Sequence, residues 1–327
     1  MEIRRDPAFI LFGKDARFYA WRPVGLFFVA YFGAYLGAAI LTPLIYWAVQ
    51  AIPGGNTPHP LLEYLQGQPF TRYVDRVRMI FSVGLLVWLI RYCGIWGRFG
   101  FFWRQQGIRK LSVFILLGLF AMGLIIAGQS QFSEYVLRNG SSLPYLVFTL
   151  SVSLAGALIL GWFEEAIFRG LLFRMFYTAT QPMPAVILGA LVFAGMHFKK
   201  VPWLNGIEVE WYTGFYVASL QSISFLFTLE WMIFWNYVLV GIVLNLVFMR
   251  TRSLVTCMGL HAGWVLARNF WRKLVDVPSD STNQFWGTER IVDGFACMLI
   301  LSVLAVIFYV NWRNHQAKEQ VDLDHPA

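Results

Sequence analysis

Apolar residues form long runs along most of the chain, and short polar stretches rich in Gly, Pro, Lys and Arg separate these runs. A run of about 20 apolar residues allows a helix to cross the roughly 30 Å hydrocarbon core of a bilayer. In lipid, only helices or closed barrels satisfy all backbone hydrogen bonds. The pattern therefore predicts an all-α, polytopic transmembrane helix bundle of about eight spans. We place these spans at Val24–Ile52, Val77–Ile95, Leu111–Gly128, Pro144–Tyr177, Ala185–Phe198, Trp231–Met249, Ser253–Phe270 and Ile291–Trp312.

The stretch Gly214–Met249 leaves two topologies open. It is long and apolar, but Gln221 and Glu230 interrupt it. We predict one full span at Trp231–Met249, preceded by a segment that lies in the membrane interface or is half buried. The alternative is two spans, which would move the C-terminus to the other side of the membrane.

Composition supports the membrane assignment and limits the partners. The chain is 58% hydrophobic and only 13% charged, which is typical of membrane proteins. Its net charge of +8 comes from Lys and Arg clustered beside apolar spans, as in cytoplasmic loops, and no nucleic-acid-binding motif is present. We therefore expect a lipid bilayer as partner, no nucleic acid, both termini in the cytoplasm, and a location in the bacterial inner membrane.

The predicted organisation is a single membrane domain over residues 1–327. Within it, residues 1–23 form an interfacial segment rich in Arg and aromatic residues, and residues 98–110 form a basic connector. Residues 143–270 contain the candidate chemistry. Residues 313–327 form a polar C-terminal tail that we expect to be disordered.

The segment GWFEEAIFRGLLFR, which begins at Gly161, places charges at the end of the charge-free run Leu143–Phe163. A carboxylate at mid-membrane costs on the order of 2.5–3.5 kcal/mol, so it is rarely incidental. In a helix, Glu165 and Arg169 lie on one face and can pair. Glu164 points about 100° away and has no charged partner within its helix, so it is available as a general base. The alternative is an ion pair with a purely structural role.

Two of the five histidines lie in apolar spans. His197 is at the end of the fifth span, and His261 is near the middle of the seventh. A single histidine on an apolar helix is more often a core residue than a catalytic one. Because ionisable groups in a membrane bundle face its interior, we expect His197 and His261 to converge with Glu164 on one cavity.

Three ordered motifs carry a family resemblance. They are E-E-x-x-x-R at Glu164–Arg169, F-x-x-x-H at Phe193–His197, and His261 on a later span. Together they resemble the CAAX-protease and bacteriocin-processing family (CPBP, or Abi), intramembrane endopeptidases that include the type II CAAX prenyl proteases. The resemblance covers about residues 143–270.

The resemblance implies a role for each motif residue. Glu164 would be the general base that activates water, and Glu165 and Arg169 would support it. His197 would orient the water or the developing charge. His261 would stabilise the oxyanion together with an Asn or Asp four residues later.

The sequence departs from the family pattern at that last position, which is Val265. Asn269 lies two turns beyond His261, and Asn245 lies on the preceding span. Either asparagine, or backbone N–H groups, would have to replace the missing oxyanion partner.

The predicted function is hydrolysis of a peptide bond in a membrane-associated protein or peptide, with no cofactor. The alternative chemistry is a zinc site held by Glu164, His197 and His261, although no H-E-x-x-H motif is present. Two other classes stay open. One is a proton-coupled transporter, for which the sequence shows no inverted repeat. The other is a catalytically silent membrane scaffold of the same fold.

Overall fold

The computed structural model describes residues 21–53, 60–92, 107–132, 135–138, 142–198, 201–276 and 283–324. Residues 1–20 of the predicted interfacial segment and most of the basic connector lie outside these described residues. The α-helices are α1 (Arg22–Gln50), α2 (Pro60–Gln66), α3 (Phe70–Tyr92), α4 (Gly107–Phe132), α5 (Leu143–Glu165), α6 (Phe173–Ala179), α7 (Pro182–Gly195), α8 (Thr213–Ser222), α9 (Trp231–Thr251), α10 (Leu254–Leu274) and α11 (Phe295–Asp324). A π-helix, Ala166–Leu172, joins α5 to α6, and short 3-10 turns occupy Pro202–Leu204 and Ser224–Leu226.

The all-α prediction is confirmed, with one small addition. Two-residue strands β1 (Val136–Leu137) and β2 (Val275–Asp276) pair in antiparallel register. Among the described residues, five helical segments are long and apolar enough to cross a membrane. The protein is therefore an integral membrane protein. The five segments are Arg22–Gln50, Gly107–Phe132, Leu143–Ala179, Trp231–Thr251 and Phe295–Ala317.

The structure favours one span in the ambiguous stretch 214–249. Helix α9 begins at Trp231, the residue predicted from the sequence. The preceding helix α8 has ten residues and is therefore about 15 Å long, too short to cross the hydrocarbon core. This length agrees with the predicted half-buried segment.

The last helix differs from the prediction at both ends. It begins at Phe295 instead of Ile291, and it continues to Asp324. Residues 313–324 are therefore helical, where the sequence had suggested a disordered tail. Ala, Lys, Glu and Gln in this segment are good helix formers, which explains how the apolar helix continues into polar sequence.

The helices divide into two compact units. The first comprises the described residues within 97–195 and 230–327, and it contains the E-E-x-x-x-R motif and His261. The second comprises the described residues within 11–96 and 196–229. In the second unit α1 packs against α3 and α8 through a core that includes Tyr35, Ala38 and Val74.

In the first unit α10 packs closely against α4 and α5. Glycine makes this approach possible on both sides of the α4–α10 contact. A Cβ at Gly118 would lie 2.5 Å from the Leu260 carbonyl oxygen, and one at Gly259 would lie 2.6 Å from the Leu111 carbonyl oxygen. Small residues of this kind let helix backbones approach in membranes, and here they fix the helix that carries His261.

Local signals set the ends of the helices that carry the site. The Ser142 hydroxyl accepts a hydrogen bond from the Tyr145 N–H at the start of α5, where Pro144 occupies the first turn. Helix α9 ends at Thr251, and the next residue, Arg252, has a left-handed φ of 50° and donates its N–H to the Phe248 carbonyl oxygen. Helix α10 begins two residues later and packs back against α9.

Candidate active site

Glu165 and Arg169 form the predicted ion pair. Arg169 Nη1 donates to Glu165 Oε1 at 2.9 Å, and both side chains are 0% exposed. The pair lies where α5 passes into the π-helix. A buried pair of this kind is stable only if the remaining donors of the arginine also find partners.

Arg169 is held by α9 and α7. Its Nε donates to Asn245 Oδ1 at 3.2 Å, and its Nη2 donates to the Gly241 carbonyl oxygen at 3.3 Å. The Phe193 ring lies under the guanidinium, with its centroid 4.7 Å from Cζ. These contacts satisfy the arginine and fix the position of its carboxylate partner.

Both polar atoms of the Asn245 side-chain amide form hydrogen bonds at this site. Its Oδ1 accepts from Arg169, and its Nδ2 donates to the Val186 carbonyl oxygen of α7 at 2.9 Å. The side chain is almost wholly buried. Asn245 therefore supports Arg169, and an oxyanion role for it would require breaking these bonds.

His261 lies between the two glutamates. Its Nδ1 is 2.8 Å from Glu165 Oε1, and its Nε2 is 3.7 Å from Glu164 Oε2. The side chain of Glu164 is 19% exposed and that of His261 7%. Because the Glu165 carboxylate can only accept, Nδ1 carries a proton, and Nε2 is the ring nitrogen directed at Glu164.

The structure thus brings together five of the residues that the sequence singled out. They are Glu164, Glu165, Arg169, Asn245 and His261. They come from α5, the π-helix, α9 and α10, and each lies in the first unit.

The other candidate residues lie elsewhere. His197 is half-buried in the turn two residues after α7, at the beginning of a segment of the second unit, and its catalytic role stays a prediction. Asn269 is half-buried on α10, about 12 Å along the helix from His261. Val265 packs in an apolar cluster with Ala157 and Leu266.

The π-helix is a feature that the sequence analysis missed. It begins immediately after Glu165, and at its end the Phe173 N–H donates to the Phe168 carbonyl oxygen, five residues earlier. Single π-helical turns are frequent at functional sites. The uniformly apolar pattern around Arg169 carries no signal for this change of helix type.

An aromatic wall shields the ion pair. The Phe193 ring centroid is 4.8 Å from that of Phe168, 6.2 Å from that of His261 and 6.5 Å from that of Tyr237. Phe193 belongs to the F-x-x-x-H motif, whereas no sequence motif points to Tyr237. Such packing strengthens the electrostatic interactions inside by excluding water.

The predicted absence of a metal stays a prediction. Within the part of the chain that the structure describes, no group of three His, Cys, Asp or Glu side chains is arranged to hold a metal ion. Glu164 and His261 are close enough to bind the same metal ion, but a catalytic zinc site requires three protein side chains as ligands.

A comparison with protein families identifies the segment that carries this site. Residues 145–267, a little over a third of the chain, match the family model described as type II CAAX prenyl endopeptidase Rce1-like. This segment is therefore similar to that family. The match confirms the resemblance predicted from the three motifs, and it supports a membrane-embedded endopeptidase. Neither the curated proteins nor the solved structures include a match to the chain.

The Rce1-like segment includes all the residues of the candidate site. It begins in the first turn of α5 and ends six residues after His261. It also includes His197 and Asn245, whereas Asn269 lies just beyond it.

Proposed function

We propose that the protein is an intramembrane endopeptidase that hydrolyses a peptide bond of a membrane-associated protein or peptide in the bacterial inner membrane. The observation that carries this proposal is the position of His261, which has one ring nitrogen on the buried Glu165 and the other facing the more accessible Glu164. A carboxylate close to an oriented imidazole in an apolar bundle supports a role for Glu164 as the base. General acid–base catalysis of hydrolysis uses a side chain positioned to take the proton of the attacking water.

In the proposed reaction Glu164 accepts a proton from a water molecule as the water oxygen attacks the scissile carbonyl carbon. The tetrahedral intermediate then carries a negative charge on the former carbonyl oxygen. When the intermediate collapses, the carbon–nitrogen bond breaks and Glu164 returns the proton to the leaving amine. Glu164 therefore serves first as base and then as acid.

His261 would stabilise the developing oxyanion. The Glu165 carboxylate holds the proton on Nδ1, so Nε2 donates a hydrogen bond when the ring is doubly protonated. One well-placed donor in a dry site contributes about 3–4 kcal/mol to transition-state stabilisation.

Arg169 and Asn245 have a positioning role in this proposal. Both are buried and bonded to the helices around them, so neither side chain is free to contact a substrate. They fix Glu165, and through Glu165 they fix the imidazole. Peptide cleavage would then depend on them only through His261.

The test is the Glu164→Gln variant of the full chain in lipid nanodiscs, with a library of membrane-tethered peptides as substrate. We expect turnover to fall by about 10²–10⁴-fold, because a positioned base is lost. Glu230→Gln is the matched control, since Glu230 is exposed and pairs with Arg290 at the protein surface. If Glu164→Gln and Glu230→Gln cleave equally well, the proposed base is wrong. If the wild-type protein cleaves nothing, a silent scaffold becomes the better account.

A further inference from the structure

The exposed face of α3 changes from charged to apolar along the helix. Arg72 and Arg76 are both exposed and lie about one turn apart, so their side chains project from the same face. At about 100° per residue, the next exposed apolar positions fall on this face as well. They are Met79, Ile80, Val83 and Val87, whose side chains are 36–72% exposed. This face, the Arg72–Val87 face, therefore presents two cations directly beside an apolar surface.

The two exposed arginines are not neutralised by their own helix. Neither side chain forms an ion pair among the described residues. Asp75 is the only carboxylate of α3, and its Oδ1 lies 3.6 Å from Nη2 of Arg78. Arg78 is buried over the ring of Tyr35 on α1, away from the exposed face. The positive charge of Arg72 and Arg76 is therefore available to an external anion.

The level of these arginines in the membrane follows from the apolar span predicted to begin at Val77. Arg76 precedes Val77 by about 1.5 Å along the helix, and Arg72 precedes it by about 7.5 Å. The headgroup layer on each side of the hydrocarbon core is roughly 5–7 Å thick. Both arginines thus lie at the level of lipid phosphates, and the apolar part of the same face lies at the level of the acyl chains.

Topology alone does not explain these charges. With the predicted cytoplasmic N-terminus, α1 crosses the membrane and α3 begins on the opposite side. Lys and Arg are enriched in cytoplasmic loops and not on that opposite side. Two unpaired arginines at the start of α3 are therefore better explained by an anion that they bind there.

We propose that Arg72 and Arg76 bind the phosphate of an anionic phospholipid, whose acyl chains lie along the apolar part of the Arg72–Val87 face. Guanidinium groups match phosphate oxygens through paired hydrogen bonds, and side chains one turn apart are close enough to contact one phosphate. The site lies in the second unit and outside residues 145–267. It does not depend on the proposed endopeptidase function.

The experiment measures lipid binding to the full chain in detergent by native mass spectrometry. The probes are phosphatidylglycerol and phosphatidylcholine with identical acyl chains, and the ratio of protein with one bound lipid to free protein gives Kd. A basic side chain near an anionic headgroup contributes about fivefold to binding. We therefore expect wild type to bind phosphatidylglycerol at least about fivefold more tightly than phosphatidylcholine.

Arg72→Gln and Arg76→Gln should each raise Kd for phosphatidylglycerol about fivefold, and the double variant should raise it roughly 25-fold. The double Lys variant keeps both charges and should keep most of the preference. Arg272→Gln is the matched control, because Arg272 is an exposed arginine on α10 that also has no ion pair among the described residues. Its Kd should equal that of wild type. If the double Gln variant does not fold, the two single variants decide by the same fivefold criterion.

Three results overturn the inference. One is an unchanged Kd for phosphatidylglycerol in both Arg72→Gln and Arg76→Gln, and another is an equal loss in Arg272→Gln. The third concerns the occupant and uses glycerophosphoglycerol, the same headgroup without acyl chains. We expect this soluble probe to bind at least about 100-fold more weakly, because the contacts of the acyl chains are lost. Equal binding of the two probes would show that a free phosphate ester, and not a lipid, is the ligand.

Discussion

Glu164 and Glu165 are adjacent in sequence, yet they lie in two different regions of the site. Glu165 belongs to a closed network, in which Arg169 and His261 both bond its Oε1 and its side chain has no exposed surface. Glu164 lies at the accessible side, 3.7 Å from the outer nitrogen of His261 and partly exposed. One helical step thus places two identical side chains in different surroundings, one fully buried and the other partly exposed.

His261 connects these two regions. Its inner nitrogen is bound by the closed network, and its outer nitrogen faces the accessible glutamate. A change in the closed network therefore reaches the accessible region through the orientation of one imidazole ring. A change on the accessible side leaves the network intact. This asymmetry gives the two regions different expected responses to mutation.

The largest effect on stability is expected for Glu165→Gln. Removing this charge leaves Arg169 buried without its anionic partner, and breaking a buried ion pair typically costs about 3–5 kcal/mol. We expect a lower melting temperature and a lower folding yield, with activity lost as a consequence. Glu164→Gln is the matched substitution, and its melting temperature should equal or exceed that of wild type because it removes a charge from an apolar bundle.

The opposite pattern of melting temperature and cleavage in these two variants would exchange the roles assigned to Glu164 and Glu165. A well-folded, inactive Glu165→Gln variant together with an active Glu164→Gln variant would assign the base to Glu165. Melting temperature and cleavage must therefore be measured on the same preparations.

The sequence was sufficient for the parts of the site that follow from helical periodicity and composition. The Glu165–Arg169 pair follows from four-residue spacing, and the span beginning at Trp231 follows from the apolar pattern. The partners of Arg169 on other helices could not be predicted, because one of them is the backbone carbonyl of Gly241. Every residue has a backbone carbonyl oxygen, so the sequence does not indicate which carbonyl accepts a hydrogen bond from the arginine.

The role of Asn245 is a second feature that the sequence alone could not predict. Its position in an apolar span marked it as unusual, but the sequence could not say whether it served an oxyanion or another side chain. That choice depends on the register of α9 against α7 and the π-helix, which only the folded bundle defines. The helical continuation to Asp324 was missed for a simpler reason, since polar residues with good helix propensity were interpreted as disordered.

A smaller effect is expected for Asn245→Ala. The substitution leaves Arg169 Nε and the Val186 carbonyl without their partners, which should cost about 1–3 kcal/mol of stability. Asn236→Ala is the matched control, because Asn236 is a buried asparagine on the same helix that also donates to carbonyl oxygens, those of Val292 and Gly294. Both variants should lose stability, and cleavage by the folded fraction should fall only modestly. A loss of about 10²–10³-fold in turnover at unchanged stability, for Asn245→Ala alone, would instead make Asn245 an oxyanion donor.

The smallest effect is expected from metal removal. If Glu164 acts as a base without a metal, purified protein treated with a strong chelator should cleave membrane-tethered peptides at the untreated rate. At the candidate site Glu164 Oε2 and His261 Nε2 lie 3.7 Å apart, whereas Glu165 Oε1 is already bonded to Arg169 and to His261 Nδ1. A catalytic zinc ion would need a third ligand, and His197 is the residue that the sequence offers. If cleavage is lost with chelator and restored by added Zn²⁺ or Co²⁺, the three residues are metal ligands and not acid–base groups. These residues would be Glu164, His197 and His261. The same treatment of Glu164→Gln provides the control, since any residual cleavage by that variant should be equally insensitive to the chelator.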